Sequence, residues 1–159
     1  MTISIYAPPD GIAVTPANPE FASYVDTLPN EVEAAIVRLA NEYPEYAHRD
    51  IADMERYAEK MTSDHPNRAA HYNEILRIAH DVRGQGALFG YPLITRCAGS
   101  LCRATRLLAA HDRAILNIVQ THLAAMRAIL ESGVTGANDR TALAIAAGLE
   151  FLVNARTGR

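Results

Sequence analysis

The sequence predicts an all-α protein, an antiparallel up-and-down four-helix bundle with additional N-terminal helices and an extended N-terminal arm. Apolar residues recur every three or four positions over most of the 159 residues, which is the period of a helix buried along one face. The segments between these stretches are short, so consecutive helices are expected to pack antiparallel. Alternation of period two, typical of strands, occurs only at residues 2–6. We expect one helical domain over residues 30–159, with the bundle core at about 67–156.

The first 29 residues form the predicted extended arm, because five of the eight prolines fall there. A first helix is expected over 30–41, with Asn30 as N-cap and Glu33 completing a capping box. A second, shorter and more polar helix is predicted over 50–61. These two are the additional N-terminal helices, expected to cap the bundle.

Four longer helices follow in the predicted bundle. Their expected ranges are 67–89, 92–108, 112–132 and 139–155. The first three carry apolar stripes at helical spacing, and the separators at 90–92 and 133–138 contain glycine or proline residues that end helices. This order of helices and short loops is typical of a bundle.

Composition and spacing exclude several function classes. The net charge of −3 divides into 12 acidic and 4 basic residues before position 65, and 6 acidic and 11 basic residues after it. The basic residues form no run, which argues against nucleic-acid binding. No histidine pair has the spacing of a zinc site and the chain lacks paired-cysteine metal motifs, so we expect no metal. Ser100 lies in a predicted helix without an evident base, which argues against a serine hydrolase.

The two cysteines and the hydropathy pattern indicate a cytoplasmic setting. Cys97 and Cys102 are five residues apart on one helix, so they cannot form a disulfide with each other and are expected to be reduced. The longest apolar run, residues 142–149, is far shorter than a membrane span. With no targeting pattern at the first residues, we expect a cytoplasmic protein without membrane contact.

His80 is the most informative residue, because the helical pattern turns it towards solvent. With Ile75 taken as zero, it lies at about 140° around the predicted helix, outside the apolar stripe. Arg77 and Arg83 lie near it on that face, and Gly84 one turn later leaves open space beside it. Gly86 points into the stripe, where a neighbouring helix would approach closely. A competing interpretation ends the helix at His80 and makes residues 83–90 a flexible loop.

The segment His80-x-x-Arg83-Gly84-x-Gly86-x-x-x-Gly90 resembles the histidine-containing phosphotransfer domains of two-component phosphorelays. The resemblance covers about residues 67–132. It implies that His80 accepts a phosphoryl group from an aspartate of one response-regulator receiver domain and passes it to another. Many family members carry a glutamine on the next helix that contacts the imidazole. Here that region offers Ser100 and Cys102 instead.

The resemblance also implies roles for the neighbours of His80. Arg83, and secondarily Arg77, would stabilise phosphoryl charge, and Gly84 would give clearance to the receiver. The partner-binding residues are expected to be Leu76, Ala87, Arg96 and Arg103. The expected partners are receiver domains, with a hybrid histidine kinase as a second candidate, and Mg²⁺ would be bound by the receiver rather than by this chain.

Two alternatives remain open at the sequence level. One is a helical protein-interaction module without catalytic chemistry. The other is a dimeric phosphotransferase derived from a histidine kinase dimerisation domain, because residues 80–83 also resemble the start of the kinase H-box. The chain has no Asp-x-Gly-x-Gly motif and no room for an ATP-binding domain. We therefore expect a phosphotransfer intermediate without intrinsic kinase activity.

Overall fold

The structure, a computed structural model, describes residues 27, 29–134 and 138–157, and within them it is all-helical. The predicted N-terminal arm lies outside the described residues except at positions 27 and 29, and the side chain of Glu33 is outside them too. Five α-helices and one 3₁₀ turn follow in order: α1 (Asn30–Ser63), the turn (His65–Asn67), α2 (Arg68–Leu88), α3 (Pro92–Leu107), α4 (Arg113–Glu131) and α5 (Arg140–Thr157).

The two predicted N-terminal helices are a single helix, and the expectation of a break between them was wrong. α1 runs for 34 residues through Pro44, whose ring nitrogen cannot donate a hydrogen bond. Buried side chains continue at helical spacing on both sides of the proline: Ala40, Tyr43, Ala47, Ile51, Met54, Ala58 and Met61. Burial along this face outweighs the loss of one backbone hydrogen bond.

The start of α1 also differs from the expected capping box. Pro29 occupies the N-cap position, and Asn30 is the first helical residue. The amide of Val32 donates to the Pro29 carbonyl at 2.8 Å. No side chain that the structure describes caps this end, and the prediction of Asn30 as N-cap was wrong by one position.

The helices pack in a closed order around a common core. α1 contacts α2 and α4, while α3 contacts α2, α4 and α5. Each of α1, α2 and α3 therefore packs against the next helix in the chain, and α4 packs against α1. α5 lies along α3 and α4. α1 thus contributes directly to the core, so the expectation that the N-terminal helices cap a core at 67–156 was wrong.

α2 is continuous past His80, so the interpretation of residues 83–90 as a flexible loop was wrong. The helix ends in a Schellman motif, with Gly90 at a φ of 86° and the Tyr91 amide donating to the Gly86 carbonyl at 2.8 Å. Gly86 permits the close approach of neighbouring helices, as its direction on α2 predicted. A Cβ at Gly86 would lie 2.8 Å from Thr95 Oγ1 and 3.1 Å from Tyr43 Oη.

The later helices begin as the sequence predicts. Asp112 caps α4, its carboxylate accepting from the Ala114 amide at 2.7 Å, and Asp139 accepts from the Ala142 amide at 2.7 Å before α5. No helix in the described part of the chain combines the length and hydropathy needed to cross a membrane.

Candidate functional site

His80 lies on the outer face of α2, with 66% of its side chain exposed. Its outward direction follows from the burial of Ile75, Ala79 and Val82, which fix the opposite face of the helix in the core. Nδ1 of the imidazole lies 3.9 Å from Oδ1 of Asp81, an electrostatic contact too long for a hydrogen bond. The ring is therefore accessible from solvent.

A shallow groove of about 480 Å³ runs beside His80, between α2 and α3. From α2 it is lined by Asn73, Leu76, Arg77, His80, Asp81 and Arg83, and from α3 by Cys102 and Arg106. Leu76 is half-buried and supplies the apolar wall. Predicted site residues and residues from the next helix therefore share one surface.

Arg83 is held towards α3 by packing of its aliphatic stem. The Cδ atom lies 3.5 Å from where a Cβ would stand at Gly99, an ordinary van der Waals distance, so the stem of the arginine runs next to Gly99 of α3. Arg83 makes no ion pair within the ranges that the structure describes. Its guanidinium charge is uncompensated in the groove.

Arg77 is placed differently, because its charge is neutralised within α2. Its Nε donates to Glu74 Oε2 at 3.0 Å and its Nη1 to Asp81 Oδ2 at 3.3 Å. The hydrogen bond and the charge of Glu74 raise the pKa of Arg77 further. Arg77 lines the groove but is engaged by two carboxylates.

Gly84 faces open solvent one turn beyond His80. A Cβ at Gly84 would meet nothing within 4 Å, so no packing constraint in the chain requires glycine there. Ala87 is exposed on the same side of α2. The surface next to the imidazole is consequently free of protruding side chains in this direction.

The other two arginines expected to bind a partner lie outside the groove. Arg96 donates through Nε and Nη2 to both carboxylate oxygens of Glu150 at 2.7 and 2.8 Å, joining α3 to α5. Its hydrogen bond lowers the pKa of Glu150. Arg103 is exposed on α3, and its charge acts on Glu150 and on His122 of α4.

Ser100 is unavailable to His80, because it points into the core. It is fully buried with His122, whose Nε2 lies 3.1 Å from Ser100 Oγ and whose Nδ1 lies 2.7 Å from the Ile118 carbonyl. Since a carbonyl only accepts, Nδ1 carries the proton and Nε2 accepts from the serine hydroxyl. The expectation that Ser100 lacks a neighbouring base was wrong, but this pair has no solvent access. Burial lowers the pKa of His122.

Arg106, like Asn73, is a groove residue that sequence reasoning missed. Its Nε donates to the Cys102 carbonyl at 3.2 Å, one turn earlier in α3. Cys102 itself is buried and lines the floor of the groove. No local pattern links position 106 to position 80, because they are brought together only by the packing of α3 on α2.

Comparison with models of known protein families, with curated proteins and with solved structures finds no match to this chain. The site is therefore interpreted from its own geometry.

Proposed function

We propose that this protein is a histidine phosphotransfer protein, in which His80 carries a phosphoryl group between aspartates of receiver domains. The observation that supports it most strongly is the exposed imidazole in the middle of a continuous helix, with an uncompensated Arg83 on one side and open space over Gly84. The closed order of α1 to α4 fits a four-helix bundle, which would hold the ring on a rigid support. A cytoplasmic location belongs to the same proposal.

The reaction would proceed by attack of the imidazole on phosphorus. We take Nε2 as the nucleophile, because Nδ1 is the ring nitrogen on the side of the Asp81 carboxylate, 3.9 Å from its Oδ1. The Nε2–P bond forms as the bond between phosphorus and the aspartyl oxygen of the receiver breaks, and the aspartate leaves as a carboxylate. The imidazole ring then carries the positive charge, which Asp81 partly compensates. Mg²⁺ would come with the receiver.

The test is transfer from a phosphorylated receiver. Receiver domains from the genome that encodes the chain are phosphorylated with acetyl phosphate and Mg²⁺ and then incubated with the protein. We expect an acid-labile, alkali-stable label that His80→Gln abolishes. His111→Gln is the matched control, because His111 is also exposed but does not line the groove.

The outcome separates the proposal from its alternatives. Labelling that survives His80→Gln would refute the assignment of His80. If no receiver labels the wild-type chain, the protein is better described as a non-catalytic interaction module. A stable dimer that exchanges phosphate would favour derivation from a histidine kinase dimerisation domain.

A further inference from the structure

The arginines of this protein differ in whether a carboxylate pairs with them. Among the described residues, several arginines pair with carboxylates: Arg56 with Asp53, Arg77 with Glu74 and Asp81, Arg96 with Glu150, and Arg127 with Glu55. Arg83 and Arg106 have no such partner in those ranges, and both line the groove beside His80. Other described arginines, such as Arg38, Arg113 and Arg140, also lack an ion pair, but they do not line the groove. Within the groove the uncompensated positive charge therefore lies on the side of His80 that faces α3.

Both arginines are restrained by contacts that leave their charged ends available. The stem of Arg83 packs against Gly99, while Arg106 Nε is held by the Cys102 carbonyl. The two terminal amino groups of Arg106 have no hydrogen-bond partner among the described residues. Restraint before binding lowers the entropy lost when a guanidinium engages an anion.

The charges of Arg83 and Arg106 both act on one residue of the groove, Cys102. Burial raises the pKa of the Cys102 thiol, and the charges of Arg83 and Arg106 both act to lower it. Cys102 lines the groove together with both arginines, and Arg106 Nε donates to its carbonyl at 3.2 Å. An anion above Cys102 would be approached by one arginine from α2 and another from α3.

We propose that Arg83 and Arg106 form a binding site for a tetrahedral oxyanion, which receives the phosphoryl group attached to His80. Guanidinium groups bind phosphate oxygens in a bidentate manner, and two of them on neighbouring helices match the several oxygens of one phosphoryl group. Arg106 would contact this group directly. Its role in transfer rests on the proposed function, whereas anion binding itself does not require phosphorylation of His80.

The binding test uses inorganic phosphate alone. Arginine Nε–H and backbone amide resonances of the isotope-labelled full chain are followed by NMR during titration with phosphate, with chloride at equal ionic strength as reference. We expect saturable shifts in the groove, weakened roughly tenfold by Arg106→Gln or Arg83→Gln, since each removes charge-assisted hydrogen bonds. Arg106→Lys should recover part of the affinity.

Two controls keep the result interpretable. Arg113→Gln should retain binding, because Arg113 is an exposed arginine on α4 that does not line the groove. Phosphate binding to the wild-type chain is measured without any receiver domain, which separates this inference from failure of the proposed function. Phosphate shifts that are unchanged in Arg106→Gln, or identical with chloride, would overturn the proposal.

Arg106 can also be tested on the phosphorylated protein. The chain is labelled chemically with phosphoramidate, and hydrolysis of the phosphohistidine is followed by ³¹P NMR. We expect Arg106→Gln to change the lifetime and the ³¹P chemical shift, with partial recovery in Arg106→Lys. A lifetime and shift equal to those of the wild type would show that Arg106 does not contact the phosphoryl group.

Discussion

Replacing Gly84 with leucine should stabilise the isolated protein and impair phosphotransfer. A side chain at this position meets nothing within 4 Å, so the change relieves the conformational cost of glycine in an exposed helix. That relief is about 1 kcal/mol, or roughly 2–4 °C in melting temperature for a chain of this size. The same side chain would protrude beside His80, where a receiver has to approach.

The expected loss in transfer follows from the cost of forcing extra atoms into a packed contact. Overpacking costs about 1–3 kcal/mol, which corresponds to roughly a 5- to 150-fold lower transfer rate. The measurement is the initial rate of label transfer from a phosphorylated receiver, alongside thermal unfolding followed by circular dichroism.

Gly148→Leu provides the matched control. Gly148 is also an exposed helical glycine whose Cβ would meet nothing within 4 Å, but it lies on α5 and does not line the groove. It should gain similar stability and transfer normally. Normal transfer in Gly84→Leu would refute the clearance argument, and slow transfer in both variants would show that the effect is not local to His80.

Three further predictions concern the core and one ion pair. Burial depresses the pKa of His122 in the folded state, so the unfolded state binds its proton more readily. Stability should therefore be full above the unfolded pKa of about 6.5 and decrease as the pH falls below it. Denaturant titrations at pH 8 and pH 5.5 should show this loss, and it should shrink in His122→Gln. Removing the charge in Glu150→Gln should cost about 1 kcal/mol or less, because its pair with Arg96 is partly exposed. A double-mutant cycle with Arg96→Gln checks this, and a coupling near zero would count against the pair. Tyr43→Phe should leave the unfolding free energy unchanged or raise it by about 1 kcal/mol, since the buried hydroxyl has no partner among the described residues. A clear loss would reveal a hydrogen bond that the structure does not show.

The positions of individual helices could be predicted where the local spacing of apolar residues determines them. Helical spacing indicated α2, α3, α4 and α5 to within about two residues, and the exposure of His80 followed from the burial of its neighbours. The same reasoning failed at Pro44. There the apolar face of α1 gains enough from packing to keep one continuous helix, and local propensity does not contain that information.

What the sequence by itself determined is the helical class, an outward His80 in the middle of α2, and the opening at Gly84, because all three depend on the helical repeat. The tertiary structure alone decided which charges another helix adds beside the imidazole. It directs Arg96 to Glu150 and brings Arg106 from α3 into the groove. Ion pairing and access depend on distances between helices, and these are set by core packing rather than by spacing along the chain.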